Sequence, residues 1–216
     1  QAGASIAIAG GAALVGAPGL DGAWLLYGPA TASFLLSDAD AWLESSEGSS
    51  AGRVVAWADV DGDGSQDALL GAPAREGGDG GAYLYYGAQS SAGLLLTGEE
   101  SSAAGSSILG VDLTGDGLDE VILGAPSAGE GGVVYVVWGD TSLSGTVALE
   151  DADAQLNGVV EAEGIGTALS AGDVDGDGER ELLVTGTRLH DSLYGGGVYV
   201  FEGDTSGTVI PGSSHV

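Results

Sequence analysis

The feature that most constrains the fold of this chain of 216 residues is an acidic loop that occurs three times, each time directly before a short apolar run. The first copy, residues 59–67, has Asp at positions 1, 3, 5 and 9 and Gly at positions 4 and 6. Residues 112–120 and 173–181 repeat this pattern. Three copies in register before apolar runs make solvated turns a poor explanation for the pattern.

The spacing of the carboxylates predicts that each loop binds a hard cation. Alternate residues of a tight loop bent by glycines point inwards, so their oxygen atoms converge on one point. Calcium is the usual occupant of such a point, because it takes six to eight oxygen ligands at about 2.3–2.6 Å. The loop is not an EF-hand, since position 12 is Leu70 and a strand-like apolar run follows. We therefore expect about three Ca²⁺ ions per chain.

The predicted ligands occupy the same positions in every loop. Positions 1, 3, 5 and 9 supply side-chain oxygens, and position 7 supplies a main-chain carbonyl. The side-chain ligands are Asp59, Asp61, Asp63 and Asp67, then Asp112, Thr114, Asp116 and Glu120, then Asp173, Asp175, Asp177 and Glu181. The carbonyl ligands are those of Ser65, Leu118 and Glu179. Spacing from the next strand favours Glu120 over Asp119 at position 9, and Thr114 lowers the charge of the second site.

The acidic loops belong to a longer repeat with a period of about 50 to 60 residues. Its marker is the residue that opens Gly-Ala-Pro or its equivalent, found at Gly16, Gly71, Gly124 and Thr185. Four repeats are visible, at approximately residues 1–48, 49–101, 102–160 and 161–216. The first repeat has Ala9-Gly10-Gly11-Ala12 in place of the acidic loop, so we expect no ion there.

Each repeat contains four short runs that are typical of β-strands, and no stretch keeps a helical period. The third run of each repeat is apolar on both faces, which predicts burial on both sides. These third runs are residues 23–28, 82–87, 134–139 and 198–203. Four antiparallel strands per repeat, stacked face to face, form a β-propeller blade. We therefore expect an all-β chain that forms a single propeller domain over residues 1–216.

One aromatic residue stands at an equivalent position of every third run. These residues are Trp24, Tyr83, Tyr135 and Tyr199. Aromatic side chains bury large areas in protein cores, so we expect this row to pack between successive blades.

The chain resembles the FG-GAP repeat family, whose units form the propeller of integrin α-subunits and occur in many secreted bacterial proteins. The first-strand glycine, the acidic loop, Gly-Ala-Pro and the Gly-x-Tyr-Val-Tyr-like third strand carry the resemblance along essentially all of residues 1–216. The resemblance implies calcium loops at one end of the blades and partner binding by loops at the opposite end. The Phe of the family motif is replaced by Ala2, Ala51, Ala104 and Ile165.

The integrin members have more blades than the repeats visible here. A four-bladed ring, a larger ring completed by a second copy of the chain, and a piece of a longer array all stay open. The chain has no initiator Met and no signal peptide, so we expect a mature or trimmed segment.

The charge of the chain argues against several partners. It has 32 acidic residues against 4 basic ones, for a formal net charge of −28. Nucleic acids and anionic membranes bind through cationic groups, so neither is an expected partner. No apolar run approaches the roughly 20 residues of a membrane span. Oxygen-only calcium sites of weak to moderate affinity suit extracellular calcium, which favours a secreted or cell-surface protein.

Partner binding is expected on the rim opposite the acidic loops. The longest loop there, residues 187–195, contains Arg188, His190, Asp191 and Tyr194, and residues 75–79 lie on the same rim. We expect an extracellular adhesion or protein-interaction module. A carbohydrate-binding propeller is the alternative, because some fungal lectins resemble the family. An enzyme is not expected, since the chain has no Gly-x-Ser-x-Gly elbow and no Cys or His cluster.

Overall fold

The computed structural model describes residues 2–28, 35–88, 91–158, 163–187 and 196–203, and the backbone of residues 207–209. Within these ranges the chain forms 17 β-strands in four sheets, together with four short 3-10 turns. The predicted all-β class is confirmed for this part of the chain.

The strands follow the repeats. Sheet 1 contains β1 (Ile6–Ala9), β2 (Ala12–Ala17), β3 (Gly22–Tyr27) and β4 (Ala41–Glu44). Sheet 2 contains β5 (Val54–Ala58), β6 (Asp67–Gly71), β7 (Gly81–Tyr85) and β8 (Leu94–Thr97). Sheet 3 contains β9 (Ser107–Val111), β10 (Glu120–Ala125), β11 (Val133–Val137) and, after the short strand β12 (Gly145–Ala148), β13 (Ala154–Asn157). Sheet 4 contains β14 (Leu169–Gly172), β15 (Glu181–Gly186) and β16 (Gly197–Phe201), and β17 (Gly207–Val209) follows it. The 3-10 turns cover Leu36–Asp38, Arg75–Gly77, Tyr86–Ala88 and Leu149–Asp151.

Within each sheet the strands that follow one another along a repeat pair antiparallel, as predicted. Two strands were not predicted from the sequence. The segment β12 pairs parallel with β8 at the outer edge of sheet 2, and β17 pairs parallel with β13 at the outer edge of sheet 3. Both begin with Gly-Thr-Val. In both cases the following repeat covers the edge of the preceding sheet, which removes unpaired backbone groups from that edge.

The sheets stack in chain order through their first strands, with β1 against β5, β5 against β9 and β9 against β14. We call the face of a sheet that packs on the preceding sheet its leading face, and the opposite face its trailing face. Three apolar layers fill the spaces between the sheets. In the second layer, for example, Leu69 and Leu84 from sheet 2 meet Leu123 and Tyr135 from sheet 3.

Three of the four aromatic residues, Tyr83, Tyr135 and Tyr199, lie between sheets, whereas Trp24 lies on the face of sheet 1 on which no described sheet packs. Tyr135 is fully buried and donates a hydrogen bond of 2.7 Å to Glu99, in the segment that follows sheet 2. The Tyr83 hydroxyl lies 2.6 Å from Ser46 Oγ, in the segment that follows sheet 1. The Tyr199 hydroxyl donates a hydrogen bond to the carboxylate of Glu163, in the segment that follows sheet 3. Each tyrosine therefore packs in the apolar layer and ties its sheet to the connection that precedes it.

The burial prediction for the third strands holds in the middle of the stack and fails at its end. All residues of β7 and β11 are buried. In β16, by contrast, Val198 and Val200 are exposed, because no described sheet packs on the trailing face of sheet 4. The sequence pattern reports that a strand is suited to burial on both faces, whereas the burial itself requires a neighbour on each side.

Glycines allow successive sheets to touch backbone to backbone. A Cβ atom added to Gly16, Gly71 or Gly124 would lie between 1.9 and 2.4 Å from the carbonyl oxygen of a glycine in the next repeat. Those partners are Gly52, Gly105 and Gly166. The first glycine of Gly-Ala-Pro and the first-strand glycine therefore recur because each forms half of this contact. Sheet 4 has Thr185 at the equivalent position.

We predict that Gly124→Ala lowers the melting temperature, because the new methyl group would overlap with Gly166. The free energy of unfolding is expected to decrease by about 2–3 kcal/mol. For a chain of this size, this corresponds to a melting temperature lower by about 5–10 °C. The matched control is Gly172→Ala, since a Cβ atom at Gly172 meets no atom within 4 Å. Equal melting temperatures for the two variants in thermal denaturation would contradict this assignment.

Candidate metal centres

The three acidic loops lie at the same end of the stack. Each connects the first strand of a sheet to the second, in sheets 2, 3 and 4. In sheet 1 the same connection is a two-residue hairpin turn at Gly10 and Gly11, which have φ angles of 56° and 79°. Such a turn needs positive φ at both positions, which glycine adopts readily. That this turn holds no ion stays a prediction.

Each loop gathers three carboxylates, with one oxygen atom from each residue lying within 4.8 Å of the others. The three groups are Asp59, Asp61 and Asp67, then Asp112, Asp116 and Glu120, then Asp173, Asp175 and Glu181. Positions 1 and 9 contribute in every loop. Glu120, which strand spacing favours over Asp119 at position 9, belongs to its group, and its role as a ligand stays a prediction.

Two further predicted side-chain ligands, Asp63 and Asp177 at position 5, are not in these groups. Each accepts a hydrogen bond from the backbone N–H two residues further on, as Asp116 also does within its group. The second loop uses position 5, Asp116, and has Thr114 at position 3. The roles of Thr114 and of the carbonyls of Ser65, Leu118 and Glu179 as ligands stay predictions.

The backbone of each loop orients the gathered carboxylates. The position-1 carboxylate accepts a hydrogen bond of 3.0–3.1 Å from the glycine at position 6, which is Gly64, Gly117 or Gly178. The position-9 carboxylate accepts one of 2.6–3.0 Å from the N–H at position 2, which belongs to Val60, Leu113 or Val174. These bonds hold the oxygens of each group close together although like charges repel.

One oxygen atom of the first group has no partner among the described residues. Asp59 Oδ1 is buried and accepts no hydrogen bond there. A buried carboxylate oxygen without a hydrogen-bond partner lowers the stability of the folded state. Buried charges are therefore normally paired or bound to a metal. The donor set consists of oxygen atoms alone, which is the set that calcium prefers. The residues present therefore fit a calcium ion, and the unpartnered oxygen of Asp59 is available as a ligand to it.

Burial and the repulsion of nearby carboxylates raise the pKa of two carboxyl groups, Asp67 and Glu120. Burial raises the pKa of Asp67 to about 6, and the nearby Asp61 and Asp59 add to this, while hydrogen bonds from Gly87 and Val60 oppose it. Burial likewise raises the pKa of Glu120 to about 7, with further contributions from Asp112 and Asp116. A bound cation would offset both effects, since opposite charge favours the ionised form.

Adjacent loops are connected through position 8. Asp119 Oδ2 accepts a hydrogen bond of 2.7 Å from the N–H of Asp59, and the Asp119 N–H donates one of 2.9 Å to the Asp59 carbonyl. Arg180 donates one of 2.9 Å to the carbonyl of Asp112. Position 8 of each of these loops thus bonds to position 1 of the preceding loop. These bonds could not be predicted from the sequence, because position 8 holds three different residue types, Gln66, Asp119 and Arg180.

On the opposite rim, several described side chains form bonds within the chain. Arg75 forms an ion pair with Glu76. Asp79 accepts hydrogen bonds from Ser101 and Ser102, and so ties its loop to the next repeat. The predicted binding residues Arg188, His190, Asp191 and Tyr194 lie outside the described residues.

Comparison with known proteins supports the repeat assignment. The FG-GAP repeat model matches residues 104–137 and 165–201, which confirms the FG-GAP repeats predicted there. The chain is also 31% identical to the phosphatidylinositol-glycan-specific phospholipase D of Rattus norvegicus over 159 residues and to that of Mus musculus over 157 residues. Each alignment covers 62% of this chain and 18% of the relative. In the described part of the chain, no helix is long and apolar enough to cross a membrane.

We predict that the metal-free chain loses stability as the pH rises from about 4 to about 7. The folded-state pKa values of Asp67 and Glu120 lie above their ordinary values of 3.8 and 4.5. Groups with raised pKa values favour the folded state while protonated, and this contribution disappears as the pH passes the folded-state pKa. In the presence of chelator, the melting temperature should therefore be lower at about pH 7.5 than at about pH 5.

The control for this prediction is Glu120→Gln, which removes one titrating group and keeps an acceptor for the Leu113 N–H. The decrease in melting temperature with pH should be smaller in this variant. A wild-type melting temperature that stays constant or increases between the two pH values would contradict the prediction.

Proposed function

Because this chain carries FG-GAP repeats, we propose that it is a calcium-stabilised β-propeller module that binds a partner through the rim opposite its acidic loops. In each of sheets 2, 3 and 4, three carboxylates gather in the loop between the first and second strands, at the same end of the stack. This recurrence is the observation that supports the proposal most strongly. The stacking of four antiparallel sheets through adjacent first strands supports the propeller, since blades are packed in this way.

In this proposal the calcium ions have a structural role. FG-GAP repeats often bind calcium. Each ion would neutralise carboxylates that otherwise repel one another, and it would join the first strand of a sheet to the second. The hydrogen bonds made at position 8 would then connect adjacent metal sites, because Asp119 and Arg180 each bond to the loop before their own. An ion that orders one loop would thus also stabilise the loop before it. The ions would thereby hold the sheets at one end and leave the other rim available.

We place this module outside the cell or at its surface, because FG-GAP proteins are generally extracellular. We favour a protein partner over a carbohydrate, since the described loops of the opposite rim, residues 18–21, 72–80 and 126–132, contain no aromatic side chain. Aromatic side chains line most small-molecule sites. A glycan array separates the two candidates, since reproducible sugar binding in calcium would favour the lectin-like alternative.

We propose no catalytic role for the chain. The enzyme name belongs to relatives of which the chain spans 18%. The clustered carboxylates of the described residues are assigned to calcium instead of acid–base chemistry.

Asp59→Asn is expected to reduce the calcium stoichiometry from about three ions per chain to about two, because it removes a charged ligand from the first group. The substitution keeps an oxygen that can accept the Gly64 N–H. Isothermal titration calorimetry of chelator-stripped protein measures the stoichiometry. The matched control is Asp151→Asn, an exposed carboxylate outside the three groups, which should bind as wild type. An unchanged stoichiometry in Asp59→Asn would contradict the assignment of this loop.

A further inference from the structure

Two apolar sheet faces of the described chain have no sheet packed on them. The first is the leading face of sheet 1, where Ile6 is 62% exposed and Ile8 is 77% exposed. The second is the trailing face of sheet 4, where Val198 is 55% exposed and Val200 is 45% exposed. Contiguous apolar patches of this kind on a soluble protein mark interaction surfaces.

The leading face of sheet 1 matches faces that are buried elsewhere in the stack. Strand register aligns Ile6, Val15, Trp24 and Trp42 in one row across the four strands. The corresponding row of sheet 2 is Val55, Leu70, Tyr83 and Leu95. That row packs on sheet 1. The ring centroids of Trp24 and Trp42 lie 4.6 Å apart. This contact extends the apolar row to the edge strand of the free face.

The connection that leads into β4 gives a second indication that sheet 1 is suited to a preceding sheet. Residues 36–41, Leu-Ser-Asp-Ala-Asp-Ala, match residues 149–154, Leu-Glu-Asp-Ala-Asp-Ala, and each segment begins with a 3-10 turn. In repeat 3, Leu149 is fully buried in the layer between sheets 2 and 3. Its counterpart Leu36 is only partly buried, and the preceding Leu35 is 71% exposed.

The trailing face of sheet 4 has the complementary character. Its residues Leu183, Val198 and Val200 occupy the positions that Leu69, Ala82 and Leu84 hold in sheet 2. The sheet 2 residues are fully buried against the leading face of sheet 3. The central residues of the two free faces are apolar, and the carboxylates that share these faces, Glu44 on sheet 1 and Glu181 on sheet 4, lie at strand ends.

We propose that these faces pack on each other between two copies of this chain, with sheet 4 of each copy on sheet 1 of its partner. Every interface inside the chain joins a trailing face to a leading face, and each copy has one free face of each kind. A head-to-tail contact of this type generates a closed ring when the rotation permits. Two copies give a ring of eight sheets, within the usual range of about four to eight propeller blades.

Thr185 makes this contact weaker than the internal ones. It occupies the position where sheets 1 to 3 have the glycines that touch the next repeat. Its hydroxyl bonds to Ala168 within sheet 4. Since a side chain stands where the internal sheets meet backbone to backbone, association between copies is expected to be reversible and dependent on concentration.

The test measures the mass of the purified chain by sedimentation velocity and light scattering over a range of concentrations. The buffer contains calcium and about 0.15 M salt, which screens repulsion between exposed charges beyond about 8 Å. The expected result is a species with twice the 21.0 kDa mass of one chain. A monomer at every concentration would overturn the proposal. Calcium stoichiometry is measured separately on the same samples. A monomer that binds calcium contradicts this inference alone, whereas a chain that binds no calcium contradicts the proposed function.

Two variants test the head-to-tail arrangement. Ile8→Asp on the leading face and Val200→Asp on the trailing face should each be monomeric, because each lacks one of the two required faces. An equimolar mixture should regain the dimer mass, since one variant keeps an intact trailing face and the other an intact leading face. The control is Leu20→Asp, an exposed apolar residue in the turn before β3 that belongs to neither face, and it should dimerise normally.

Circular dichroism confirms that each variant retains its strands. If Val200→Asp still dimerises while Ile8→Asp does not, the contact joins two leading faces and the head-to-tail proposal is wrong. If the mixture stays monomeric while both variants are folded, the proposal is also wrong.

Discussion

The structure depends on the packing of each sheet against its neighbours in the stack. A repeat of this length cannot bury both faces of its own strands, so each sheet gains stability only when another packs on it. The glycine contacts determine how close that packing is, because Gly16, Gly71 and Gly124 each meet the backbone of the next repeat. The same requirement explains the exposed valines of β16 and the exposed isoleucines of β1, since these strands lie at the two ends of the stack.

The acidic loops introduce a second constraint that acts against the first. Stacking places three carboxylate groups side by side in a chain with a net charge of −28, and it buries Asp67 and Glu120. Burial and like charge both disfavour the ionised carboxylates, as the raised pKa values of these two groups indicate. A divalent cation in each loop would remove this conflict. Under the proposed function, calcium is what allows the loops to combine close packing with high negative charge.

The sequence was sufficient for the elements that rest on local patterns. The repeat period, the strands of each repeat, the position of the acidic loops and the choice of Glu120 over Asp119 all follow from residue spacing. The strands β12 and β17 were missed because they pair with a preceding repeat, and short Gly-Thr-Val segments carry no strong strand signal by themselves. The bonds of Asp119 and Arg180 were missed because they arise from stacking and involve residues of different types. Full burial of β16 was wrongly predicted, because an apolar pattern on both faces of a strand does not show whether a neighbouring sheet is present.

The most direct test of this account is the melting temperature of the chelator-stripped chain at neutral pH, measured before and after calcium is added. Three sites filled well above their dissociation constants would raise the melting temperature by about 10 °C or more. Sodium chloride of matched ionic strength serves as the reference and should produce a much smaller change. If calcium has no effect, or no more effect than the matched salt, the acidic loops are solvated turns and the stack is stable without ions.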